Sequence, residues 1–83
     1  MGLPVSTERD ALQDKIAALE QTVLHNRKLV EQQRALVHAL HRQGRAAGQS
    51  LLLLAKFERT LAAFEKELEA LRKEISAPGV TRE

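Results

Sequence analysis

Three histidines, His25, His38 and His41, are the residues of this chain whose chemistry most readily suggests a site. His38 and His41 stand three residues apart in a segment predicted to be helical, whereas helical zinc ligands usually stand four apart and converge with a third ligand. The chain contains no cysteine, which excludes thiolate metal sites and cysteine nucleophiles. The sequence therefore predicts no metal site and no cofactor, and it predicts solvated histidines.

The motifs of the common catalytic classes do not occur in the chain. It has no glycine-rich phosphate loop, no nucleophile elbow and no Glu-x-x-His pair. Ser6, Ser50 and Ser76 fall at predicted helix ends, where helix capping accounts for them. We therefore predict that the protein is not an enzyme and that it has no catalytic residues.

The segment 25–48 is the most basic part of the chain and could face an anionic partner. It carries five Lys or Arg residues against one acidic residue, Glu31. Clustered cations supply the salt-dependent part of nucleic-acid binding. An alternative prediction is therefore a nucleic-acid-binding four-helix bundle. If Arg27 and Arg34 pair with acidic residues elsewhere in the chain, its contact residues are Lys28, Arg42 and Arg45.

Apolar residues in the first half of the chain repeat with the 3.5-residue period of a coiled-coil seam. Two polar residues, Asn26 and Gln33, occupy seam positions of the kind labelled d. Polar seam residues fix register and oligomeric state, and we predict that role for this pair. The alternative is that their amides contact a ligand or partner. The apolar members are Leu12, Ile16, Leu19, Val23, Val30, Val37 and Leu40.

A second apolar repeat follows without polar interruption. It is out of phase with the first by three residues, and the slip falls beside Gly44 and Gly48. Two structures satisfy this pattern. The chain can reverse within the segment 43–50 to form an antiparallel hairpin, or a single helix can continue and absorb the slip in its winding. The members of the second repeat are Leu54, Phe57, Leu61, Phe64, Leu68, Leu71 and Ile75.

Charged residues favour the hairpin. In an antiparallel pair of helices, residues at the e positions lie beside one another across the seam. Folding the chain about residues 46–47 brings three oppositely charged pairs together and sets valines opposite phenylalanines, which suits close packing. The pairs are Glu20–Arg72, Arg27–Glu65, Arg34–Glu58, Val30–Phe64 and Val37–Phe57.

The predicted fold is all-α, a single domain that consists of an antiparallel, coiled-coil-like two-helix hairpin. The first helix is predicted over residues 7–43, the turn over 44–48 and the second helix over 49–76.

The helix ends are predicted from capping and breaking residues. Ser6 or Thr7 is the predicted cap of the first helix. Pro78 and Gly79 are predicted to stop the second helix. The terminal segments outside the helices, 1–5 and 78–83, are predicted to fray.

Leucines gather near the turn in larger number than a two-helix seam requires. Leaving them in water would forgo roughly 1.5–3 kcal/mol for each side chain. We therefore predict an interface and, as its simplest closed form, a homodimer that makes a four-helix bundle. The alternative is that Leu51 and Leu52 only pack under the turn. The candidate interface residues are Leu29, Leu36, Leu51, Leu52 and Leu53.

The segment of about residues 30–75 resembles a group of short, uncharacterised helical proteins of bacteria, chiefly proteobacteria. The group's pattern combines Q-R-x-L-V/I-x-x-L, a glycine and L-L-x-x-F-E-x-T-L. The chain departs from it at Ala46 and Ala47, where members often have Asp-Thr, and at Phe64, where they have histidine. The resemblance implies no activity. The matching residues are Gln33, Arg34, Leu36, Val37, Leu40, Gly44, Leu53, Leu54, Phe57, Glu58, Thr60 and Leu61.

Taken as a whole, the sequence predicts a small oligomerisation or protein-interaction module of unknown process. Its expected partner is a second copy of the chain, and an unidentified protein is a further candidate. No apolar run approaches the roughly 20 residues of a membrane span, so no membrane partner is predicted. The absence of cysteine fits a cytoplasmic location.

Overall fold

The computed structural model describes residues 3–76, which form two helices packed against each other as a hairpin. Helix α1 runs over Leu3–Arg42 and helix α2 over Gly48–Ser76, with no strand among the described residues. The helices touch along their length, and their contacts join residues far apart in the sequence. The predicted all-α hairpin is therefore confirmed, and the alternative of one continuous helix is wrong.

The start of α1 differs from the prediction. The helix begins at Leu3, so the residues at 3–5 that were predicted to fray are helical, and Ser6 and Thr7 lie inside the helix instead of capping it. Pro4 is compatible with this start because proline lacks only an N–H that the first helical turn does not use. The predicted fraying over 78–83, with the stop at Pro78 and Gly79, lies outside the described residues.

The turn depends on one of the two glycines. Gly44 has a φ of 67°, a conformation that side chains disfavour. Its N–H donates to the His41 carbonyl at 3.1 Å, and the Arg45 N–H donates to the Leu40 carbonyl at 2.9 Å. These two bonds satisfy the last carbonyls of α1 in the pattern of a Schellman motif. Gly48, in contrast, is simply the first residue of α2.

The N-terminus of α2 has no side-chain cap. The Ala47 carbonyl accepts the first helical bond, from the Leu51 N–H at 2.8 Å, so Ala47 occupies the capping position. Ser50, which the sequence suggested as a cap, is the third residue of the helix. Alanine offers no side-chain oxygen to the free N–H groups of the first turn.

The core is thin. Its buried apolar residues among those described are only Val23, Val30, Val37, Ala47 and Leu68. The three valines occupy successive a positions of α1, which confirms this side of the predicted seam. The phenylalanines and most seam leucines are only half-buried. Two helices cover the seam only from two sides, so the larger side chains of the seam remain in contact with water.

The register of the two helices differs from the predicted one. Folding about residues 46–47 would put Ser50 roughly 15 Å along the axis from Gln33, and Ile75 roughly 14 Å from Arg9. Instead, the Gln33 amide donates to the Ser50 carbonyl at 3.0 Å, and the Arg9 guanidinium donates to the Ile75 carbonyl at 3.3 Å. Ala47, at the predicted tip of the fold, is only 7% exposed. Helix α2 therefore lies about one heptad further along α1, towards its N-terminus.

This shift corrects the predicted valine–phenylalanine pairs. Moving α2 by about seven residues brings Phe57 to the level of Val30 and Phe64 to the level of Val23. Such a shift exchanges one seam position for the equivalent position in the next heptad. The alternation of apolar residues is therefore the same in both registers.

Candidate interaction surface

One side of the hairpin, the ion-pair flank, carries all three predicted ion pairs. The guanidinium of Arg72 lies 2.8 Å from Glu20, that of Arg34 lies 2.9 Å from Glu58, and that of Arg27 lies 3.2 Å from Glu65. These distances confirm the predicted partners. Every side chain in the three pairs is about half exposed, so each pair contributes only roughly 0.2–1 kcal/mol to stability.

The ion pairs form in a register in which their Cα atoms are not level. Helical side chains lean towards the N-terminus of their own helix. In an antiparallel pair these leanings are opposed, so the tips of two long side chains meet from positions that are offset along the axis. Arg34 and Glu58 are offset in this way, and the same geometry recurs one heptad on at Arg27 and Glu65.

The opposite side of the hairpin, the leucine flank, carries Leu29, Leu36 and Leu53. Because the helices are antiparallel, Leu36 lies one turn nearer the hairpin turn than Gln33, and Leu53 lies one turn further from it than Ser50. With Phe57 at the level of Val30, the Cα atoms of the two leucines lie about two residues, or roughly 3 Å, apart along the axis. Leu36 is 45% and Leu53 41% exposed, and Leu29 is half-buried. The shifted register thus assembles an apolar patch next to the turn.

The other two candidate leucines do not belong to this patch. Successive residues of a helix are turned by about 100°, so Leu51, Leu52 and Leu53 cannot share one direction. Leu51 points towards the ion-pair flank, and Leu52 points away from α1 and is 73% exposed. The alternative in which these two leucines pack under the turn is not what the structure shows, since both are exposed.

Sequence reasoning did not single out Leu24, which is 48% exposed. It occupies a b position of α1, on the side of the ion-pair flank, away from Leu36 and Leu53. The signal was present in the sequence as a leucine outside the seam. It stands apart from the leucines near the turn and adds nothing to the leucine flank.

The two polar seam residues behave differently. Asn26 donates to the Thr22 carbonyl of its own helix at 2.8 Å. Gln33 is only 8% exposed and donates across the seam to the Ser50 carbonyl. Among the described residues, every buried side-chain nitrogen or oxygen has a hydrogen-bond partner. Only Gln33 of this pair therefore joins the two helices by the hydrogen bond it makes.

The residues of the basic segment are divided between the surfaces of the hairpin. Arg27 and Arg34 are engaged by Glu65 and Glu58 on the ion-pair flank. The candidate nucleic-acid contacts are exposed, and one of them, Arg45, donates to the Gln43 side chain at 3.3 Å. Lys28 and Arg42 lie on the outer face of α1, two heptads apart. The three candidates are Lys28, Arg42 and Arg45.

The described residues offer no converging chemistry. Over residues 3–76, no three His, Asp or Glu side chains come together in a way that could hold a metal ion. His25, His38 and His41 are each exposed. Neither helix has an apolar stretch long enough to cross a membrane. What the structure presents instead is a set of exposed leucines, of which Leu36 and Leu53 share the leucine flank.

Comparisons of the chain with protein-family models, with curated proteins and with solved structures found no match. The resemblance to the short bacterial helical proteins stays a prediction.

Proposed function

We propose that the protein is a small, non-enzymatic self-association module of the cytoplasm, in which the leucine flanks of two hairpins meet to form a four-helix bundle. The observation that carries this proposal is that Leu36 and Leu53, both close to half exposed, lie on one flank about two residues, or roughly 3 Å, apart along the axis. Burying the remainder of each leucine is worth roughly 1–2 kcal/mol. Because the core of one hairpin is thin, a second chain can bury apolar surface that a single hairpin leaves in water.

The size of the leucine flank suits a second copy of the chain. Helix α2 has 29 residues and is therefore roughly 44 Å long. Two helices side by side are roughly 18 Å wide, so the whole side of the hairpin that carries the leucine flank offers roughly 800 Å² per chain. This is the area that each partner contributes to a standard stable interface. The part of this side away from the turn carries Lys15, Thr22 and Glu67. An apolar patch that meets its own copy across a two-fold axis is complementary to itself, which is the commonest arrangement of oligomers.

The charges support a leucine-flank interface over one on the ion-pair flank. The ion-pair flank satisfies three arginines and three glutamates within one chain. A partner there would have to desolvate paired charges, which costs more than it gains. On the leucine flank, covering Leu36 and Leu53 desolvates apolar side chains and no charged group. The ion-pair flank also exposes Leu24 and Leu51, but a partner that covered them would have to desolvate the paired charges beside them.

Nucleic-acid binding has less support. Engagement of Arg27 and Arg34 by glutamates leaves Lys28, Arg42 and Arg45 as its candidate contacts. Three cations give a shallow dependence of affinity on salt and a weak complex.

The test of the proposal is a pair of charge substitutions with a matched control. Leu36→Glu combined with Leu53→Glu should give monomers of reduced helicity, as measured by sedimentation and circular dichroism. Leu52→Glu makes the same chemical change at a more exposed leucine outside the flank, and it should leave association intact. A double variant that associates like the wild type would refute the proposal. Loss of association in the Leu52→Glu protein alone would place the interface on the outer face of α2.

A further inference from the structure

The side of the hairpin that carries the leucine flank changes in character along its length. Leu36 and Leu53 lie near the turn, whereas the part near the other end of the hairpin, the open end, has a groove of about 350 Å³ between the helices. Lys15 and Glu67 line this groove. Lys15 lies three heptads before Leu36 in α1, and Glu67 lies two heptads after Leu53 in α2, so both charged residues lie on the same side as the leucines.

The charges at the open end lack partners, unlike those of the ion-pair flank. Lys15 on α1 and Glu67 and Glu74 on α2 are exposed, and none of the three has an ion-pair partner among residues 3–76. Glu74 follows Glu67 by one heptad and therefore lies on the same side. A single hairpin thus presents a cation on one helix and anions on the other. A second hairpin that places its α2 against this α1 would bring opposite charges together.

Two arrangements with two-fold symmetry bring the leucine flanks of two chains together. In the parallel arrangement the symmetry axis runs along the hairpins, the turns lie at the same end, and α1 of each chain lies against α2 of the other. In the antiparallel arrangement the axis crosses the hairpins, the turns lie at opposite ends, and each helix lies against its own copy. The two arrangements therefore differ in which residues face the leucines and the open-end charges.

The antiparallel arrangement matches this side of the hairpin poorly. With full overlap, the turn end of one chain covers the open end of the other, so Leu36 lies beside Lys15 and burial of the leucine desolvates a charged group. Sliding the chains until their leucines meet leaves an overlap roughly 27 Å long, or roughly 500 Å² per chain. This area is well below the roughly 800 Å² that each partner contributes to a standard stable interface.

The parallel arrangement sets apolar residues against apolar residues and cations against anions. A rotation about an axis along the hairpins moves nothing along that axis, so each end of one chain meets the same end of the other. In the register of the structure, Lys15 of one chain and Glu74 of the other then lie about two residues, or roughly 3 Å, apart along the axis. Their side chains lean towards each other, as those of Arg34 and Glu58 do within one chain.

We propose that two hairpins pack in the parallel arrangement, with their turns at the same end, and that Lys15 of each chain pairs with Glu74 of the other. Because this arrangement requires the leucine flank to be the interface, it rests on the proposed function. The leucines supply the affinity. The two ion pairs lie beside the open groove, remain in contact with water and set the orientation, since the antiparallel arrangement loses both of them.

A single spin label on each chain measures the orientation. The chain has no cysteine, and Asp10→Cys places a label at an exposed position near the open end, away from the leucine flank. With one label per chain, the measured distance is always between chains. It should be within roughly 35 Å in the parallel arrangement, where only the thickness of the bundle separates the labels, and more than roughly 45 Å in the antiparallel one. A distance longer than the bundle is thick, in a protein that associates, would overturn the proposal and leave the proposed function standing.

Mixtures of charge variants test the ion pairs. Lys15→Glu or Glu74→Lys alone sets like charges against each other in the homodimer and should raise its dissociation constant roughly tenfold, because two exposed pairs are lost. Mixing the two variants should restore the wild-type constant in a heterodimer, where both pairs are again opposite in sign. Lys28→Glu mixed with Glu31→Lys is the matched control, since it produces the same net charges on the outer face of α1.

Native mass spectrometry, with a heavy isotope in one of the two chains, counts homodimers and heterodimers. The Lys15 and Glu74 variants should form heterodimers in excess of the statistical half, and the control pair should not. Statistical mixing of the Lys15 and Glu74 variants, or an equal excess in the control, would overturn the ion pairs. Sedimentation of the wild type separates these results from a failure of the proposed function, because a protein that never associates ends both.

Discussion

The two flanks of the hairpin are both about half exposed, yet they place opposite demands on their surroundings. On the ion-pair flank, six charged side chains find partners within the chain at 2.8–3.2 Å. On the leucine flank, Leu36 and Leu53 have 45% and 41% of their surface in water. Exposure alone therefore says little about a surface. What matters is whether hydration of the surface is favourable. Water hydrates guanidinium and carboxylate groups favourably, whereas hydration of the leucines is unfavourable.

This contrast suggests a division of labour within one short chain. The ion-pair flank selects the antiparallel pairing inside the hairpin, because each pair joins residues of opposite charge on different helices. In the proposed dimer, the leucine flank adds burial that two helices cannot achieve alone. A protein of 83 residues without cysteine has few other means of gaining stability.

The largest effect is expected from trimming the leucine flank without adding charge. Leu36→Ala with Leu53→Ala removes two apolar side chains from each of two copies, at roughly 1 kcal/mol for each. The dimer dissociation constant should rise by at least roughly 100-fold in sedimentation equilibrium. Leu24→Ala, a change at a leucine of similar exposure on the other side, should leave the constant unchanged. Equal effects of the two changes would erase the contrast between the flanks.

A change at the turn should weaken both flanks together. Gly44→Ala forces a side chain into a positive φ of 67°, at a cost of about 1–2 kcal/mol in the free energy of unfolding. Gly48→Ala is the control: a Cβ there would meet no atom within 4 Å, and its helical position suits alanine. It should be neutral or stabilising by up to about 1 kcal/mol. Thermal unfolding followed by circular dichroism measures both, and a Gly48→Ala protein less stable than Gly44→Ala would contradict the assignment of the turn.

The ion-pair flank should yield a smaller effect. A double-mutant cycle of Arg27→Ala and Glu65→Ala should give a coupling energy of roughly 0.2–1 kcal/mol that shrinks as salt is added. The same salt should not dissociate the dimer, because burial of the leucine flank does not depend on ionic strength. Dissociation by salt would show that charges, and not leucines, hold the two chains together.

The smallest effect is expected at the basic residues. Arg42→Ala with Arg45→Ala should leave association unchanged. Binding of the wild type to duplex DNA or structured RNA should be weak in fluorescence anisotropy, with a log–log salt slope no steeper than about −3. The only aromatic residues, Phe57 and Phe64, belong to the seam, so base stacking on aromatic side chains does not add to the affinity for nucleic acid. Submicromolar affinity at about 0.15 M salt, lost in the double variant, would favour the nucleic-acid-binding function instead.

The sequence was sufficient for the hairpin but not for its register. Heptad spacing, the phase slip near Gly44 and the opposite charges of Arg34 and Glu58 predicted two antiparallel helices and their ion pairs. A shift of seven residues leaves the heptad pattern unchanged, so the pattern alone cannot distinguish the two registers. The direction in which long helical side chains lean does distinguish them, because it brings Arg34 and Glu58 together from offset positions.

The candidate site was predictable in part, for a similar reason. Exposed leucines near the turn were recognisable from the pattern, but which of them share a surface depends on the register and on the direction of each side chain. Leu36 and Leu53 come together only after the shift, while Leu51 and Leu52 point elsewhere. The predicted start of α1 was wrong because Ser6 and Thr7 are common capping residues. Pro4, which precedes them, is compatible with the first turn of a helix, and the helix begins before it at Leu3.

The most direct test of the central claim is the mass of the wild-type protein in solution. Sedimentation equilibrium across the micromolar range should give twice the mass of the chain, with dissociation only on dilution and with loss of helicity on dissociation. A protein that stays a monomer throughout this range, and remains as helical as at high concentration, would contradict the account, because it would show that the leucine flank is stable in water.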